Sequence, residues 1–297
     1  MNEHKDHIPV LTKEVLQYLD LKPDENVIDG TVGNGGHANL MLEKTSPFGK
    51  LLGIDADRDQ ITNARRNAHA FNERIVLVND SYANIKEIAE RVRFKPINAI
   101  LLDLGYSSWH IAQSQKGFSF LKNEPLDMRY GGGELTAGNI INEYKEKELE
   151  KILREYGEEK FSKQIAMAIV RQRRVKKIES TFDLVSVIEE VVGARYQREK
   201  IHCATRTFQA LRIAVNGELD NLQTALPQAL EVLAPGGRLA VISFHSLEDR
   251  IVKHFFQQEG QKGTVIILTK KPVEASDSEI SENPRSRSAK LRAIIKR

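Results

Sequence analysis

A glycine-rich turn in the first fifty residues constrains the fold of this chain more than any other segment. Its sequence is Val27-Ile28-Asp29-Gly30-Thr31-Val32-Gly33-Asn34-Gly35-Gly36-His37, the pattern of an apolar strand, a turn and the start of a helix. A second strand, 51–55, ends in the carboxylate of Asp55. Asp55 follows Gly36 by about 20 residues, the spacing at which doubly wound α/β folds meet the ribose of a nucleotide cofactor. The turn therefore predicts a nucleotide-binding sheet.

Strand and helix patterns alternate through the first hundred residues and resume near the C-terminus. Strands are predicted at 27–29, 51–55, 75–78, 99–104 and 238–244, and helices at 37–44, after Asp57, and at 84–92, 146–156, 159–173, 181–192 and 205–233. Strands that are apolar on both faces indicate a parallel sheet covered on both sides by helices. The chain is therefore predicted to be α/β, with a sheet domain at 1–108 and 203–297 and an all-helical insert at 109–202.

The last fifty residues are predicted to complete the sheet. Ser246 and Asp249 have the spacing of a capping box at the start of a helix. Two β-rich stretches, 264–269 and 291–295, are predicted to form an edge hairpin. The segment 273–288 between them is rich in serine, glutamate and proline, which predicts a mobile loop.

Composition narrows the class of protein. The chain is 40% hydrophobic and 29% charged, which is typical of a folded domain. A single cysteine, Cys203, excludes an internal disulfide framework. Apolar runs fall short of the ~20 residues that span a bilayer, and the first residues lack the apolar segment of a secretory signal. The protein is therefore expected in the cytoplasm, away from membranes.

Residues around the turn favour one nucleotide cofactor over another. Gly33 to Ala38 satisfies the dinucleotide pattern G-x-G-x-x-G/A, so a nicotinamide cofactor is one interpretation. Asp29, just ahead of the glycines, instead suits the ammonium group of S-adenosylmethionine, because a carboxylate there opposes a pyrophosphate. Asp55 is expected to bind the ribose hydroxyls. Tyr82, after the third strand, either stacks on adenine or packs locally.

Asp103 ends the fourth strand and is the candidate catalytic residue. Ligands of open α/β sheets bind at the carboxyl ends of strands, so Asp103 is expected to face the reacting groups. An exocyclic amine of a base is a poor nucleophile because its lone pair is delocalised into the ring. A carboxylate that accepts hydrogen bonds from the amine increases its nucleophilicity and relieves its proton after attack. The alternative is that Asp103 only orders its loop or contacts the cofactor.

With these motifs in order, the chain resembles the MraW-type cytosine-N4 methyltransferases that modify the small-subunit ribosomal RNA of bacteria. The resemblance covers nearly the whole chain. It is carried by His7-Ile8-Pro9-Val10-Leu11, Asp29-Gly30-Thr31, Gly35-Gly36-His37, Asp103-Leu104-Gly105, Ser107-Ser108, Gly117-Phe118-Ser119-Phe120, Leu126-Asp127-Met128-Arg129, Tyr156-Gly157-Glu158-Glu159, the stretch 204–212, the stretch 242–250 and Asn283-Pro284-Arg285-Ser286-Arg287-Ser288.

The resemblance implies a Rossmann-like class I methyltransferase sheet with an inserted helical domain after the fourth strand. It implies methylation at N4 of one cytidine in the decoding region of 16S ribosomal RNA, on the free RNA or the small subunit, with S-adenosyl-L-methionine as donor. It also implies that the cofactor is contacted by Gly35, Gly36, His37, Asp55, Tyr82, Asp103 and His110. His110 stands where the family usually has glutamine, and Cys203 where it usually has proline.

Three groups of basic residues are expected to contact RNA, because phosphate contacts supply affinity without sequence information. They are Arg171, Arg173, Arg174, Lys176 and Lys177; Arg195, Arg198 and Lys200; and Arg285, Arg287, Lys290 and Arg292. The helical insert is therefore the expected RNA recognition domain. Phe118, Phe120, Arg129 and His245 are candidates to hold the flipped base, with ordinary packing as the alternative.

Other chemistries are weighed against this interpretation. Methylation at cytosine C5 uses a cysteine nucleophile, for which Cys203 is the only candidate, but a free cysteine is more often a buried apolar residue. His202, Cys203 and His245 lack the paired spacing of zinc ligands, so no metal is expected. A ribosome-assembly factor without transferase activity and a nicotinamide-dependent dehydrogenase are the alternative functions. A homodimer is left open.

Overall fold

The fold comes from a computed structural model that describes residues 8–196 and 201–297. The chain forms two compact units, one made of the residues up to Gly105 together with Leu219–Arg297, the other of Tyr106–Glu218. The first carries a β-sheet and the second is helical. Together they give the predicted α/β class with a helical insertion after the fourth strand.

In the part of the chain that the structure describes, the first unit holds one eight-stranded sheet. Its strands are β1 Val27–Asp29, β2 Leu51–Asp55, β3 Ile75–Asn79, β4 Ala99–Asp103, β5 Arg238–Ser243, β6 Val265–Ile267, β7 Val273–Glu274 and β8 Lys290–Lys296. The order is β3-β2-β1-β4-β5-β8-β6, and β7 pairs with β8. Strands β1 to β5 are parallel, whereas β8 is antiparallel to both of its neighbours in that order. The order reverses between β1 and β4, where ligands bind in such sheets.

Helices cover both faces of this sheet. They are α1 Thr12–Leu19, α2 Gly36–Lys44, α3 Arg58–Asn67, α4 Ile85–Arg91, α11 Glu218–Val232, α12 Ser246–Lys262 and α13 Asp277–Glu282. Alternate strand residues enter two separate apolar cores: Ile100 and Leu102 pack with α4, α11 and α12, whereas Ala99 and Leu101 pack with α1, α2 and α3. Strands buried on both faces account for the continuous apolar runs in the sequence.

The second unit is built from α5 Ser108–Ala112, α6 Ala137–Glu143, α7 Glu146–Gly157, α8 Ser162–Val175, α9 Thr181–Tyr196 and α10 Thr205–Asn216. Its core contains Leu149 and Leu153 of α7 with Phe208 and Leu211 of α10. The predicted boundary at 202/203 therefore differs from the observed one after Glu218. The reason is packing: the apolar face of α10 is buried in the helical core, which a period in the sequence does not reveal.

Three local predictions are wrong. The single helix at 205–233 is two helices, because Gly217 adopts the left-handed conformation (φ 59°) and ends α10. The cap of α12 is His245, whose box partner is Glu248, rather than Ser246 with Asp249. The segment 273–288 is ordered as β7, α13 and a 3-10 helix. Strands 265–267 and 290–296 do pair antiparallel, with the first of them at the sheet edge.

Membrane insertion has no support in the helices of the described residues, none of which combines the length and the apolar character needed to cross a bilayer.

Candidate active site

Three aspartates lie at the carboxyl ends of adjacent strands. Asp29 ends β1, Asp55 ends β2 and Asp103 ends β4. The register pairs Asp29 with Gly53 on one side and with Leu101 on the other, so Asp55 and Asp103 each stand two residues further along. Because alternate residues of a strand share a face, all three side chains belong to the face that α2 and α3 cover. The sheet thus gathers three carboxyl groups at its switch point.

The glycine turn packs directly against this cluster. The Gly33 N–H donates to Oδ2 of Asp55 at 2.9 Å. Gly33 (φ 51°) and Gly35 (φ 88°) adopt left-handed conformations that a side chain would strain. A Cβ on Gly36 would lie 3.1 Å from Cγ of Pro9, so the start of α2 is closely packed. The turn leaves the first N–H groups of α2 without a side-chain cap, which suits the approach of a ligand.

Asp29 is the most deeply buried of the three, with 1% of its surface exposed. Its Oδ1 accepts a hydrogen bond from the Thr31 N–H at 3.2 Å. Burial raises the pKa of Asp29 to about 7; the Thr31 hydrogen bond opposes this rise and the charge of Asp55 adds to it. A carboxyl group with this pKa changes protonation near neutrality, and a bound cation favours its charged form.

The two carboxyl oxygens of Asp103 differ, because one lies near a histidine and the other has no hydrogen-bond partner among the described residues. Its N–H donates to Oγ1 of Thr31 at 2.7 Å, and its Oδ2 lies 3.5 Å from Nδ1 of His37. Its Oδ1 is buried without a hydrogen-bond partner among the described residues. Burial raises the pKa of Asp103 well above its usual value, and the charges of Asp29 and Glu248 raise it further. An unpaired buried acceptor is costly, so one is expected where a substrate completes the hydrogen bond.

The donor set of the cluster fits a cationic nucleoside. Each Asp55 oxygen accepts one backbone N–H, from Gly33 and from Asp57, and because a carboxylate oxygen has two lone pairs these bonds are compatible with a ribose hydroxyl. The carboxyl groups of Asp29 and Asp103 repel one another's negative charge, so a positive ligand relieves that repulsion and a pyrophosphate increases it. The cluster therefore suits the ammonium and sulfonium groups of S-adenosylmethionine better than a dinucleotide.

Tyr82 lies in a 3-10 helix, Tyr82–Asn84, that follows β3. A Cβ on Gly30 would lie 3.4 Å from Cβ of Tyr82, so this tyrosine stands against the glycine turn. Its ring is partly buried against the core on the α4 side of the sheet. Position thus agrees with contact to a nucleoside, and stacking on adenine stays a prediction.

His110 belongs to the second unit, where it is buried. Its Nδ1 accepts the Ser107 N–H at 3.1 Å, so the neutral ring carries its proton on Nε2. The ring packs edge-on against Phe118 and Tyr130, with centroids 5.0 and 5.2 Å away. His110 is thereby a hydrogen-bond donor, as a glutamine amide would be, and its contact with the cofactor stays a prediction.

Two residues that were candidates to hold a flipped base already make side-chain contacts within the second unit. Phe118 is 8% exposed and lies in the helical core. Arg129 forms a bidentate ion pair with Asp127, with Nε–Oδ1 at 2.8 Å and Nη2–Oδ2 at 2.6 Å. Core packing of the ring and pairing of the guanidinium therefore give both residues structural roles.

Glu248 is a residue of this site that sequence reasoning missed. It is 2% exposed, and its Oε2 accepts the N–H groups of Phe244 and His245 at 2.9 and 3.3 Å. Its charge acts on Asp103, which is paired in register with Ile242 of β5, the strand that precedes α12. The signal in the sequence was the spacing of His245 and Glu248, which is that of a capping box.

A group of three side chains in the second unit has the composition of a metal site. Ligand atoms of Glu189, His202 and Cys203 lie within 4.8 Å of one another. The His202 Nδ1 accepts the Ala204 N–H, so the neutral ring is protonated on Nε2, which faces Glu189 at 3.4 Å. A metal would need that nitrogen without its proton. The expectation of no metal stays a prediction.

Several of the basic residues expected to contact RNA instead form hydrogen bonds or ion pairs within the protein. Arg173 donates to the Ile141 carbonyl at the end of α6, and Arg292 is a buried partner of Asp249, with Nε–Oδ1 at 2.6 Å. Arg174 and Lys177 are exposed. Arg198 and Lys200 lie outside the described residues.

Similarity to known proteins extends over nearly the whole chain. The sequence model of the MraW methylase family matches residues 4–297. A protein named ribosomal RNA small subunit methyltransferase H from Heliobacterium mobile is 47% identical over 98% of this chain and 98% of its own length. Proteins of the same name are 46% identical in Heliobacterium modesticaldum, over 98% of both chains, and 46% identical in Dehalococcoides mccartyi, over 96% of this chain and 85% of the relative.

Proposed function

Since this chain belongs to the MraW methylase family, we propose that it methylates N4 of a cytidine in the decoding region of 16S ribosomal RNA. The relatives are named for the ribosomal RNA of the small subunit, which supports that class of substrate. The choice of the N4 atom rests on the chemistry of Asp103.

The methyl donor is S-adenosylmethionine, and the sequence prediction of this cofactor is confirmed by membership of a methylase family. When bound, it supplies an electrophilic methyl group on a sulfonium. We propose that Asp55 binds the ribose hydroxyls, that Asp29 binds the ammonium group, and that Gly35 and Gly36 allow close approach of the backbone. These assignments follow from the donor set and remain proposals residue by residue.

The observation that carries the N4 assignment is the unpaired Oδ1 of Asp103. An exocyclic amine offers N–H donors, and an acceptor that binds one of them localises electron density on nitrogen. The same oxygen then receives the proton that the methylated amine releases. Positioning and hydrogen bonding of this kind supply most of what a protein contributes to a displacement at carbon.

Methylation at C5 is less well supported. Cys203 lies in the second unit, is 5% exposed and has the pKa of its thiol raised by burial and by the charge of Glu189. A raised thiol pKa disfavours the thiolate that attacks a pyrimidine ring. We therefore assign no catalytic role to Cys203.

The second unit is proposed to bind the RNA. Arg171 and Lys176 of its α8 segment are exposed and form surface ion pairs with Glu190 and Asp183. Such pairs are weak, so phosphate oxygens compete for these cations at little cost. Extrusion of the target cytidine from its stack is required for the amine to reach a carboxyl group at a strand end.

The test uses small ribosomal subunits, free 16S RNA and methyl-labelled S-adenosylmethionine, followed by digestion to nucleosides. We expect label in N4-methylcytidine with the wild-type protein and a loss of about 10²-fold or more with Asp103→Ala. Label in 5-methylcytidine, or in no nucleoside, contradicts the proposal. If the protein is instead a ribosome-assembly factor without transferase activity, the Asp103→Ala variant keeps the protein's cellular role.

A further inference from the structure

His37 is buried beside the catalytic candidate and is oriented by the backbone. It is 6% exposed, and its Nε2 lies 2.8 Å from the carbonyl oxygen of Val10. A carbonyl oxygen only accepts, so Nε2 carries a proton in this contact. The other nitrogen, Nδ1, lies 3.5 Å from Oδ2 of Asp103. The neutral ring therefore presents a lone pair to the carboxyl group.

The segment that orients His37 is itself fixed by distant parts of the chain. The Leu11 N–H donates to Oε1 of Glu279 at 2.7 Å, and Asn283 Nδ2 donates to the Ile8 carbonyl at 3.0 Å. Both partners come from the α13 segment near the C-terminus. The Val10 carbonyl is therefore held by tertiary contacts, and the imidazole ring is held with it.

From this geometry we infer that the His37 side chain is a positioning residue for Asp103, holding Oδ2 by a shared proton and leaving Oδ1 as the substrate's acceptor. The inference rests on the proposed function. In this proposal the His37 imidazole interacts with Asp103, and the cofactor is contacted by the backbone of the Gly35–His37 turn. Hydrogen bonds at catalytic groups are often long before substrate binds, so a distance of 3.5 Å is compatible with closure on binding.

The chemistry of the pair follows from its surroundings. Burial, together with the charges of Asp29 and Glu248, raises the pKa of Asp103, so in the resting pair the shared proton lies on Oδ2 and faces Nδ1 of the neutral His37 ring. Movement of that proton from Oδ2 to Nδ1 makes Asp103 a carboxylate that can take a proton at Oδ1. As the amine nitrogen bonds to the methyl carbon, the carbon–sulfur electron pair stays on sulfur, and one N–H proton passes to Oδ1 of Asp103.

Two substitutions separate this role from a structural one. His37→Gln places an amide near the position of Nε2 and keeps the bond to Val10, but it removes the group that faces Asp103. His37→Asn places an amide near the position of Nδ1 and keeps a partner for Asp103. His69→Gln, at an exposed histidine of the same unit, is the matched control.

The measurements are kcat with small subunits at saturating cofactor, and Kd for S-adenosylmethionine by calorimetry. We expect His37→Gln to lower kcat by about 10²-fold with Kd changed less than about threefold, and His37→Asn to recover part of the loss. Wild-type kcat in His37→Gln overturns the inference, as does a loss confined to Kd, which marks His37 as a cofactor contact only. If label from the wild-type protein is absent from N4-methylcytidine, the proposed function fails instead.

A spectroscopic measurement needs no substrate, and it does not depend on whether the His37 variants fold. Nitrogen-15 shifts of the His37 ring are expected to show a hydrogen-bonded Nδ1 in the wild-type protein, and in Asp103→Ala an Nδ1 that has lost this hydrogen bond. The same Nδ1 shift in both proteins overturns the inference.

Discussion

Asp29→Asn removes a buried carboxyl group while keeping a side-chain oxygen for the Thr31 N–H. The folded protein holds the Asp29 proton more tightly than the unfolded chain does, because burial raises the pKa from 3.8 to about 7. Ionising the group in the folded state therefore costs stability. That cost is absent below about pH 4, grows as pH rises through the window between the two pKa values, and is complete above about pH 7.

The size of the effect follows from the shift. About 3 pKa units correspond to about 4 kcal/mol in the free energy of unfolding above neutrality. At pH 5 the cost has reached only about 2 kcal/mol, so the advantage of Asp29→Asn over the wild type grows by about 2 to 3 kcal/mol between pH 5 and pH 8. For a unit of this size such a change corresponds to roughly 5–10 °C in Tm.

The assay is thermal unfolding of the cofactor-free protein across this pH range, with Asp59→Asn as control. Asp59 is exposed, so its substitution removes a carboxyl group without relieving burial. A second series with S-adenosylmethionine is expected to stabilise the wild type more than Asp29→Asn at pH 8, since we propose that the ionised carboxyl binds the ammonium group. A Tm difference between the two proteins that does not change with pH refutes the role given to burial.

Three further outcomes are expected. Gly35 has a φ of 88°, so Gly35→Ala costs about 1–2 kcal/mol in backbone strain. We expect it to weaken cofactor binding in calorimetry, and an unchanged Kd would contradict the close approach inferred for the turn. The double variant Arg174→Gln with Lys177→Gln lowers affinity for ribosomal RNA and reduces the salt dependence of binding, with Kd for cofactor unchanged, whereas an unaltered salt slope would place the RNA elsewhere. Arg292→Met leaves the partly buried Asp249 without its partner and costs about 1.5–3 kcal/mol in chemical denaturation, most of it recovered by adding Asp249→Asn.

Local sequence signals identified most of the sheet. The strands ending in Asp29, Asp55 and Asp103 have the predicted bounds within one residue, because apolar runs between helices are typical of buried parallel strands. Asp57 caps α3 as predicted, accepting the Asp59 N–H at 2.8 Å. A cap depends on neighbours in sequence, and a parallel strand on its own composition.

Predictions failed where distant residues decide the outcome. The composition of 273–288 indicated mobility, yet Glu279 and Asn283 of that segment bind the backbone at Leu11 and Ile8. The basic group near the C-terminus was expected to contact RNA, but the buried Arg292 forms an ion pair with Asp249. Neither contact leaves a periodic signal, because the partners are far apart in the chain.

The sequence by itself determined the order of strands and helices, the glycine turn and the three strand-end aspartates, because each depends on residues that are close along the chain. The tertiary structure decided the chemical properties of those aspartates. Asp29 has a raised pKa because the sheet buries it. Asp103 has one oxygen that faces His37 and one without a hydrogen-bond partner among the described residues, because β1, β4 and α2 meet there. Burial and the charges of neighbouring strands set the chemistry of a carboxyl group, and both exist only once the sheet has formed.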